Sequence, residues 1–216
     1  MGSCCDQEGC ALDALRERQG RTLRIVLAIN VMLFLVELAA GIMASSISLM
    51  ADSLDSLGDA LVYAFSLYVL LRSQRWRASA ALLKGLIMLG FGMAITAALI
   101  GRILAPVVPV AGMIGSFGLF ALACNLGCLI LLTRHRSDDI NMESVWLCSR
   151  NDIIANGGVL LAAAGVAATG SMWPDFAVGA VIAAIFLRSA LYVISQASRE
   201  LRRHAASAQA KMHPAR

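Results

Sequence analysis

Residues 51–59 read Ala-Asp-Ser-Leu-Asp-Ser-Leu-Gly-Asp, and they lie inside an apolar run that extends from Ile47 to Leu71. A charged side chain deep in a bilayer costs at least about 2.5 kcal/mol, so each one needs a partner or a function. Asp52, Asp55 and Asp59 are spaced at i, i+3 and i+7, which places them on one face of a helix. Because three like charges on one face repel one another, the stretch predicts a membrane helix whose acidic face is held together by a cation.

The composition places the whole chain in a membrane. Of its 216 residues, 59% are apolar and only 15% are charged, which is too apolar for a soluble domain. The apolar residues form six blocks, each long enough for a bilayer core of about 30 Å. These predicted spans are Leu23–Met43, Ile47–Leu71, Ala78–Ala105, Ala111–Thr133, Ser144–Ala168 and Pro174–Ile194. We therefore expect an all-α polytopic membrane protein with six transmembrane helices.

The basic residues predict the orientation of these spans. Fifteen of the 18 Lys and Arg residues lie in the N-terminal segment, the second and fourth connections and the C-terminal tail. Because positive charge stays on the cytoplasmic side, both termini are predicted to be cytoplasmic, as in a multi-pass protein of a bacterial inner (cytoplasmic) membrane. The short basic clusters at the ends of apolar runs do not favour nucleic acid as a partner.

The chain is expected to divide into three parts. Residues 1–20 form a cytoplasmic segment that contains cysteines, residues 21–194 form the transmembrane domain, and residues 195–216 form a short basic tail. Cys4, Cys5 and Cys10 lie close together beside two acidic residues, a composition typical of a soft-metal capture segment.

A second group of polar residues lies on the fifth span. Cys148 and Asp152 are one turn apart, and Asn156 follows one turn later on the same face. Asp55 and Asp59 have the same spacing on the second span. Two helices that each present two side chains one turn apart can supply four ligands around one point. Zinc takes such a tetrahedron of thiolate and carboxylate ligands, whereas calcium and magnesium do not prefer sulfur.

These residues resemble the cation diffusion facilitator family of divalent-metal/proton antiporters. That family has six spans, cytoplasmic termini and a metal site made from residue pairs on the second and fifth spans. The run from Ser48 to Asp59 is similar to its second-span signature. The resemblance implies that Asp55, Asp59 and Asp152 are ligands, and it covers about residues 21–194.

The chain departs from the family pattern at two places. Cys148 stands where most members have His or Asp. It is either a thiolate ligand, which would favour zinc, cadmium or cobalt over manganese, or a buried apolar residue, with Asn156 or water completing the site. We also expect a short form without the family's cytoplasmic C-terminal domain, so that a homodimer would form through the membrane part.

The ligand chemistry predicts antiport. A divalent ion needs deprotonated ligands and expels their protons, so the site holds either metal or protons. We expect a transporter, not an enzyme, that uses no cofactor and exports zinc-like ions across the lipid membrane. The alternatives are a membrane metal sensor or scaffold without transport, or efflux of iron, nickel or manganese.

Other polar residues in the spans are open to two readings. Asp52 lies one turn from Asp55 and would either line the outer exit or face water at the interface. Asn30 and Glu37 share a face of the first span, and Glu37 would serve a proton path or pair with Arg. Cys124 and Cys128 are one turn apart on the fourth span, where packing is favoured over a second metal site.

Two other classes of membrane protein fit the sequence less well. An intramembrane aspartyl protease needs two aspartates in particular contexts, and it would leave the remaining carboxylates unexplained. A multidrug antiporter usually has a binding site rich in aromatic side chains. Tyr63, Phe65 and Tyr68 are too few to form such a site.

Overall fold

The chain folds into six α-helices in a computed structural model that describes residues 3–69, 74–134 and 140–212. Within these ranges the side chains of residues 3–19, 65–66, 68–69, 74–78, 80–81, 84, 140–145, 147–148 and 204–212 are not described. The helices are α1 (Ser3–Ala44), α2 (Ile47–Val69), α3 (Gln74–Leu104), α4 (Ala111–Thr133), α5 (Ile140–Thr169) and α6 (Trp173–Met212). The predicted all-α fold with six helices is confirmed.

Five of these helices are long and apolar enough to cross a membrane, judged on the described residues. Their candidate spans are Gly20–Ala44, Gly85–Leu104, Ala111–Thr133, Ser149–Thr169 and Trp173–Arg203. The helix α2 has 23 residues, but its three aspartates give it more charge than an ordinary span carries. The chain is therefore a polytopic membrane protein, in which α2 differs from the other helices by its acidic face. The placement of both termini in the cytoplasm stays a prediction from the basic residues.

The helix α2 lies at the centre of the bundle. It packs against α1, α3, α5 and α6, while α4 packs against α1 and α5. Nearly every side chain from Ile47 to Ala60 is buried or half-buried, including polar ones. Large apolar side chains such as Leu161 and Ile185 are instead exposed on the outside of the bundle, as expected for surfaces that contact lipid. The bundle therefore buries a number of polar side chains within an apolar core and presents an apolar surface outside.

A tight turn joins α1 to α2. Ser45 has a φ of 53°, the left-handed conformation that ends many helices. The amide of Ser46 donates to the Gly41 carbonyl at 2.8 Å and that of Ser45 to the Ile42 carbonyl at 3.2 Å, which is the Schellman pattern. The chain reverses within two residues, so α1 and α2 pack closely along their length.

A carboxylate from α6 caps the N-terminus of α2. Asp175 accepts hydrogen bonds from the amides of Ile47 (2.7 Å) and Ser48 (3.2 Å). It also accepts them from the hydroxyls of Ser46 (2.5 Å) and Ser48 (2.6 Å). An added Cβ at Gly179 would lie only 2.9 Å from the backbone of Ile47 and Ser48, so the two helices are in near-backbone contact. These contacts fix the start of α2 against the start of α6.

Candidate metal centre

A cavity of about 750 Å³ lies between α2, α5 and α6, with Met88 of α3 at its edge. Most of its lining is apolar, including Val62, Ile182 and Phe186. Three carboxylates interrupt this lining, namely Asp55 and Asp59 from α2 and Asp152 from α5. No Lys or Arg is among the described residues that line the cavity. An acidic wall in an otherwise apolar cavity between membrane helices has the chemistry to accept a cation.

The structure brings Asp59 and Asp152 into direct contact across the interface of α2 and α5. Their side chains are within hydrogen-bond reach of each other, and Asp55 is near enough to act on Asp152 electrostatically. Asp152 is 5% exposed, and its Oδ2 has no hydrogen-bond donor among the described residues. The three aspartates thus line one cavity, and their role as ligands stays a prediction.

Tyr63 orients one of these aspartates. Its hydroxyl donates to Asp59 Oδ2 at 2.7 Å. Tyr63 lies one turn after Asp59 on α2, and its side chain is fully buried. A buried phenol needs a partner for its hydroxyl. The sequence analysis considered Tyr63 only as one of the aromatic residues that a multidrug site would need. Its i+4 spacing from Asp59 could have indicated that the two side chains meet on one face of α2.

The predicted acidic face of α2 divides between two environments. Asp52 does not line the cavity with Asp55 and Asp59, and it is only 1% exposed. The alternative that Asp52 faces water at the interface is therefore wrong. Its carboxyl group instead lies within hydrogen-bond reach of Glu37 on α1, while Asn156 Nδ2 on α5 approaches Asp52 Oδ1 at 3.4 Å.

Glu37 belongs to this second polar group, and no Arg pairs with it in the described part of the chain. The Ser56 hydroxyl donates to Glu37 Oε2 at 2.9 Å. Asn156 also donates to the backbone carbonyl of Asp152 at 2.9 Å, which links the second group to the cavity. Asn30 is buried but bonds to the Val26 carbonyl of its own helix.

The structure describes the side chains of only some of the cysteines that the sequence brought forward. Cys148 lies on α5 one turn before Asp152, and its side chain is outside the described residues, as are those of Cys4, Cys5 and Cys10. Cys128 on α4 is a buried free thiol close enough to Asp152 and Asp59 for their charges to act on it. The predicted role of Cys128 in packing agrees with its position in a cluster with Leu23, Val26 and Leu132.

The cavity carboxylates do not close around a single point. Among the described side chains, no group of three or more His, Cys, Asp or Glu converges enough to hold an ion. Asp59 and Asp152 therefore lie close together in the cavity, but no third described side chain of these types joins them closely enough to complete an ion site. The described side chains form an open arrangement, and the side chain of Cys148 lies outside them.

Asp175 is the polar residue that the sequence did not bring forward. Its four hydrogen bonds join positions 127 to 129 residues apart in the chain, so no local pattern could reveal the contact. The one available signal is its place in the first turn of α6, where an acidic side chain is favoured.

A bundle of apolar helices with three carboxylates in one cavity between them is the arrangement expected of a membrane transporter for cations. Comparison with protein families matches residues 23–202 to the family described as "Cation efflux transmembrane domain". The match covers most of the chain, so the chain belongs to the cation efflux family, which is the cation diffusion facilitator family. It is a multi-pass integral membrane protein that transports metal cations, and it is a transporter, not an enzyme. No curated protein sequence matches the chain.

Proposed function

We propose that this chain exports Zn²⁺, or a similar ion such as Cd²⁺ or Co²⁺, from the cytoplasm in exchange for protons. Asp55, Asp59, Cys148 and Asp152 would bind the ion. The observation that carries the proposal is the cavity that collects Asp55, Asp59 and Asp152 from two helices onto one acidic wall. A tetrahedral zinc site needs four such donors at about 2.0–2.3 Å, so the helices would close around the ion when it binds.

The choice of zinc-like ions depends on Cys148. A thiolate ligand favours borderline-soft ions and disfavours manganese and magnesium, whereas an all-carboxylate site has the reverse preference. Helix α5 places Cys148 one turn from Asp152. Efflux of iron, nickel or manganese is the competing outcome, and it follows if Cys148 only packs and Asn156 or water completes the site.

Proton exchange follows from the crowding of the carboxylates. Without a metal ion, Asp59 and Asp152 lie within hydrogen-bond reach, and a shared proton relieves their repulsion. A divalent ion replaces that proton, because its ligands must be deprotonated. If the cavity opens alternately to the two sides, metal leaves while protons enter down their gradient.

The remaining assignments belong to the same proposal. The transporter would reside in a bacterial inner membrane with both termini in the cytoplasm, and two copies would associate through their membrane helices. Cys4, Cys5 and Cys10 would capture metal on the cytoplasmic side before it enters the cavity. Loss of these three thiols is expected to weaken the apparent affinity for the ion while leaving its maximal transport rate unchanged.

Reconstituted vesicles test the exchange. The purified chain in proteoliposomes is expected to move Zn²⁺ against an opposing flow of protons, and an imposed pH gradient is expected to drive it. The two readouts are a zinc-sensitive dye and a pH-sensitive dye on the same vesicles, and a protonophore serves as the control. Zinc flux that ignores the pH gradient would contradict antiport. Zinc binding without any flux would instead favour a sensor or scaffold.

A further inference from the structure

Glu37, Asp52 and Asn156 form a group that is not part of the cavity lining and contains none of the four proposed ligands. Its members come from α1, α2 and α5, and all three are at most 2% exposed. Asp52 precedes Asp55 by three residues, so the group lies about 4.5 Å further toward the Ile47 end of α2. That end is the outer one if the predicted orientation holds. We call these three side chains the outer group.

The outer group contains three oxygen atoms that accept no hydrogen bond from the described residues. Glu37 Oε1, Asp52 Oδ2 and Asn156 Oδ1 have no hydrogen-bond partner within the described part of the chain. Leaving a buried polar atom unpaired costs about 1–3 kcal/mol, and more for a charged one. Three such atoms on three converging helices are an arrangement that folding alone does not favour.

The two acids of the outer group also lie against each other. Glu37 and Asp52 are within hydrogen-bond reach, and no Lys or Arg among the described residues pairs with either. The contacts that they do have are weak or few, namely one Ser56 hydroxyl on Glu37 and the Asn156 amide, which is 3.4 Å from Asp52. An N–H···O distance of 3.4 Å is long for a hydrogen bond. A cation between the carboxylates would relieve their repulsion and satisfy the unpaired oxygens together.

We propose that Glu37, Asp52 and Asn156 form a second binding station for a divalent cation, distinct from the cavity site and built only from oxygen ligands. Two carboxylates and one amide oxygen suit Mn²⁺, Fe²⁺, Co²⁺ or Zn²⁺ and do not suit soft ions. On the proposed export path, the ion reaches this station after it leaves Asp55, and the sulfur of Cys148 stays behind. The role as an exit station rests on the proposed function, whereas the binding of the ion does not.

Mn²⁺ is the appropriate probe, because it favours oxygen ligands and its unbound form has a strong electron paramagnetic resonance signal. The full chain in detergent is titrated with Mn²⁺ in an Asp59→Asn background, which weakens the cavity site. We expect one ion to remain bound per chain. Adding Glu37→Gln keeps the side-chain volume but removes a charge, and it is expected to weaken that binding at least tenfold.

Two further variants separate binding from folding. Asn156→Asp adds a carboxylate to the outer group and is expected to tighten Mn²⁺ binding several-fold, a gain that a folding defect cannot produce. Ser56→Ala is the matched control, since it removes the hydroxyl that donates to Glu37 but no proposed ligand, and binding is expected to persist.

Two results overturn the second station. One is that the Asp59→Asn chain binds no Mn²⁺, and the other is that Glu37→Gln and Asn156→Asp leave its affinity within twofold. In the latter case Glu37 and Asp52 are a pair that holds a proton, not a metal station. Zinc flux in proteoliposomes is measured separately on the parent chain, so failure of the proposed export and failure of the outer station give different results.

Discussion

Asp152 and Asp175 are buried to almost the same degree, 5% and 3% exposed, yet their carboxylates have opposite surroundings. Asp175 accepts four hydrogen bonds from the start of α2. Asp152 keeps an oxygen without a donor among the described residues and lies within hydrogen-bond reach of Asp59 in the cavity lining. Burial alone therefore does not separate an acid that caps a helix from a candidate metal ligand in this membrane protein. The number of donors that each carboxylate receives does, because an under-satisfied acid is the one that can bind a cation.

The largest expected effect is on transport when a cavity carboxylate is removed. Asp152→Ala and Asp59→Ala each delete a proposed ligand, and zinc flux in proteoliposomes is expected to fall on the order of 100-fold or more, since even loss of a residue that only supports a ligand costs 10–100-fold. Folding is checked by gel filtration and thermal melting in detergent. A variant that folds and retains more than a tenth of the parent flux would remove that residue from the ligand set.

The second effect concerns stability. Asp175→Ala leaves the amides of Ile47 and Ser48 and two hydroxyls without their acceptor, and it is expected to destabilise the fold by about 2 kcal/mol or more. The measurement is the melting temperature in detergent. Ser48→Ala, which removes one donor and leaves the carboxylate in place, is the milder matched change. A melting temperature unchanged by Asp175→Ala would show that the cap does not stabilise the junction between α2 and α6.

The third effect is a change in metal preference. Cys148→Ser replaces a proposed sulfur ligand and is expected to reduce the preference for Cd²⁺ over Mn²⁺ about tenfold or more, because the soft donor is lost. Cys128→Ser is the matched control, since Cys128 is buried in an apolar cluster near the same acids but does not converge with them. The measurement is competition between the two ions for transport. Equal shifts in the two variants would contradict the ligand role of Cys148.

The smallest effect is expected at Tyr63. Tyr63→Phe removes the hydroxyl that donates to Asp59 at 2.7 Å while keeping the ring that fills the core. A hydrogen bond to a charged group contributes about 1.5–3 kcal/mol. The loss is expected to be smaller here, because a bound ion also holds the carboxylate of Asp59. Affinity for Zn²⁺, measured by calorimetry, is expected to fall by no more than about tenfold. A complete loss of binding would make Tyr63 part of the ion site itself.

The sequence predicted the helices well because their signal is local. The fourth span, Ala111–Thr133, agrees with α4 at both ends, and the i, i+3, i+7 spacing placed three aspartates on one face of α2. The period of a helix and the thickness of a bilayer determine these features.

The partners of those aspartates could not be predicted in the same way. The separation of Asp52 from Asp55 and Asp59 depends on where α1 and α5 cross α2. At these crossings Glu37 and Asn156 lie next to Asp52, whereas Asp55 and Asp59 line the cavity. The Asp175 cap likewise depends on the register of α6 against α2, a tertiary contact without a local sequence pattern.

Binding of Zn²⁺ to Asp152→Asn and Asp175→Asn tests the central claim most directly. The two variants make the same chemical change at two equally buried acids, and calorimetry in buffers of different ionisation enthalpy reports both the affinity and the protons released. We predict that Asp152→Asn binds zinc at least tenfold more weakly and releases fewer protons, while Asp175→Asn melts at a lower temperature but keeps the parent's affinity and proton release. Equal losses of affinity in both variants, or parental binding by Asp152→Asn, would contradict the account.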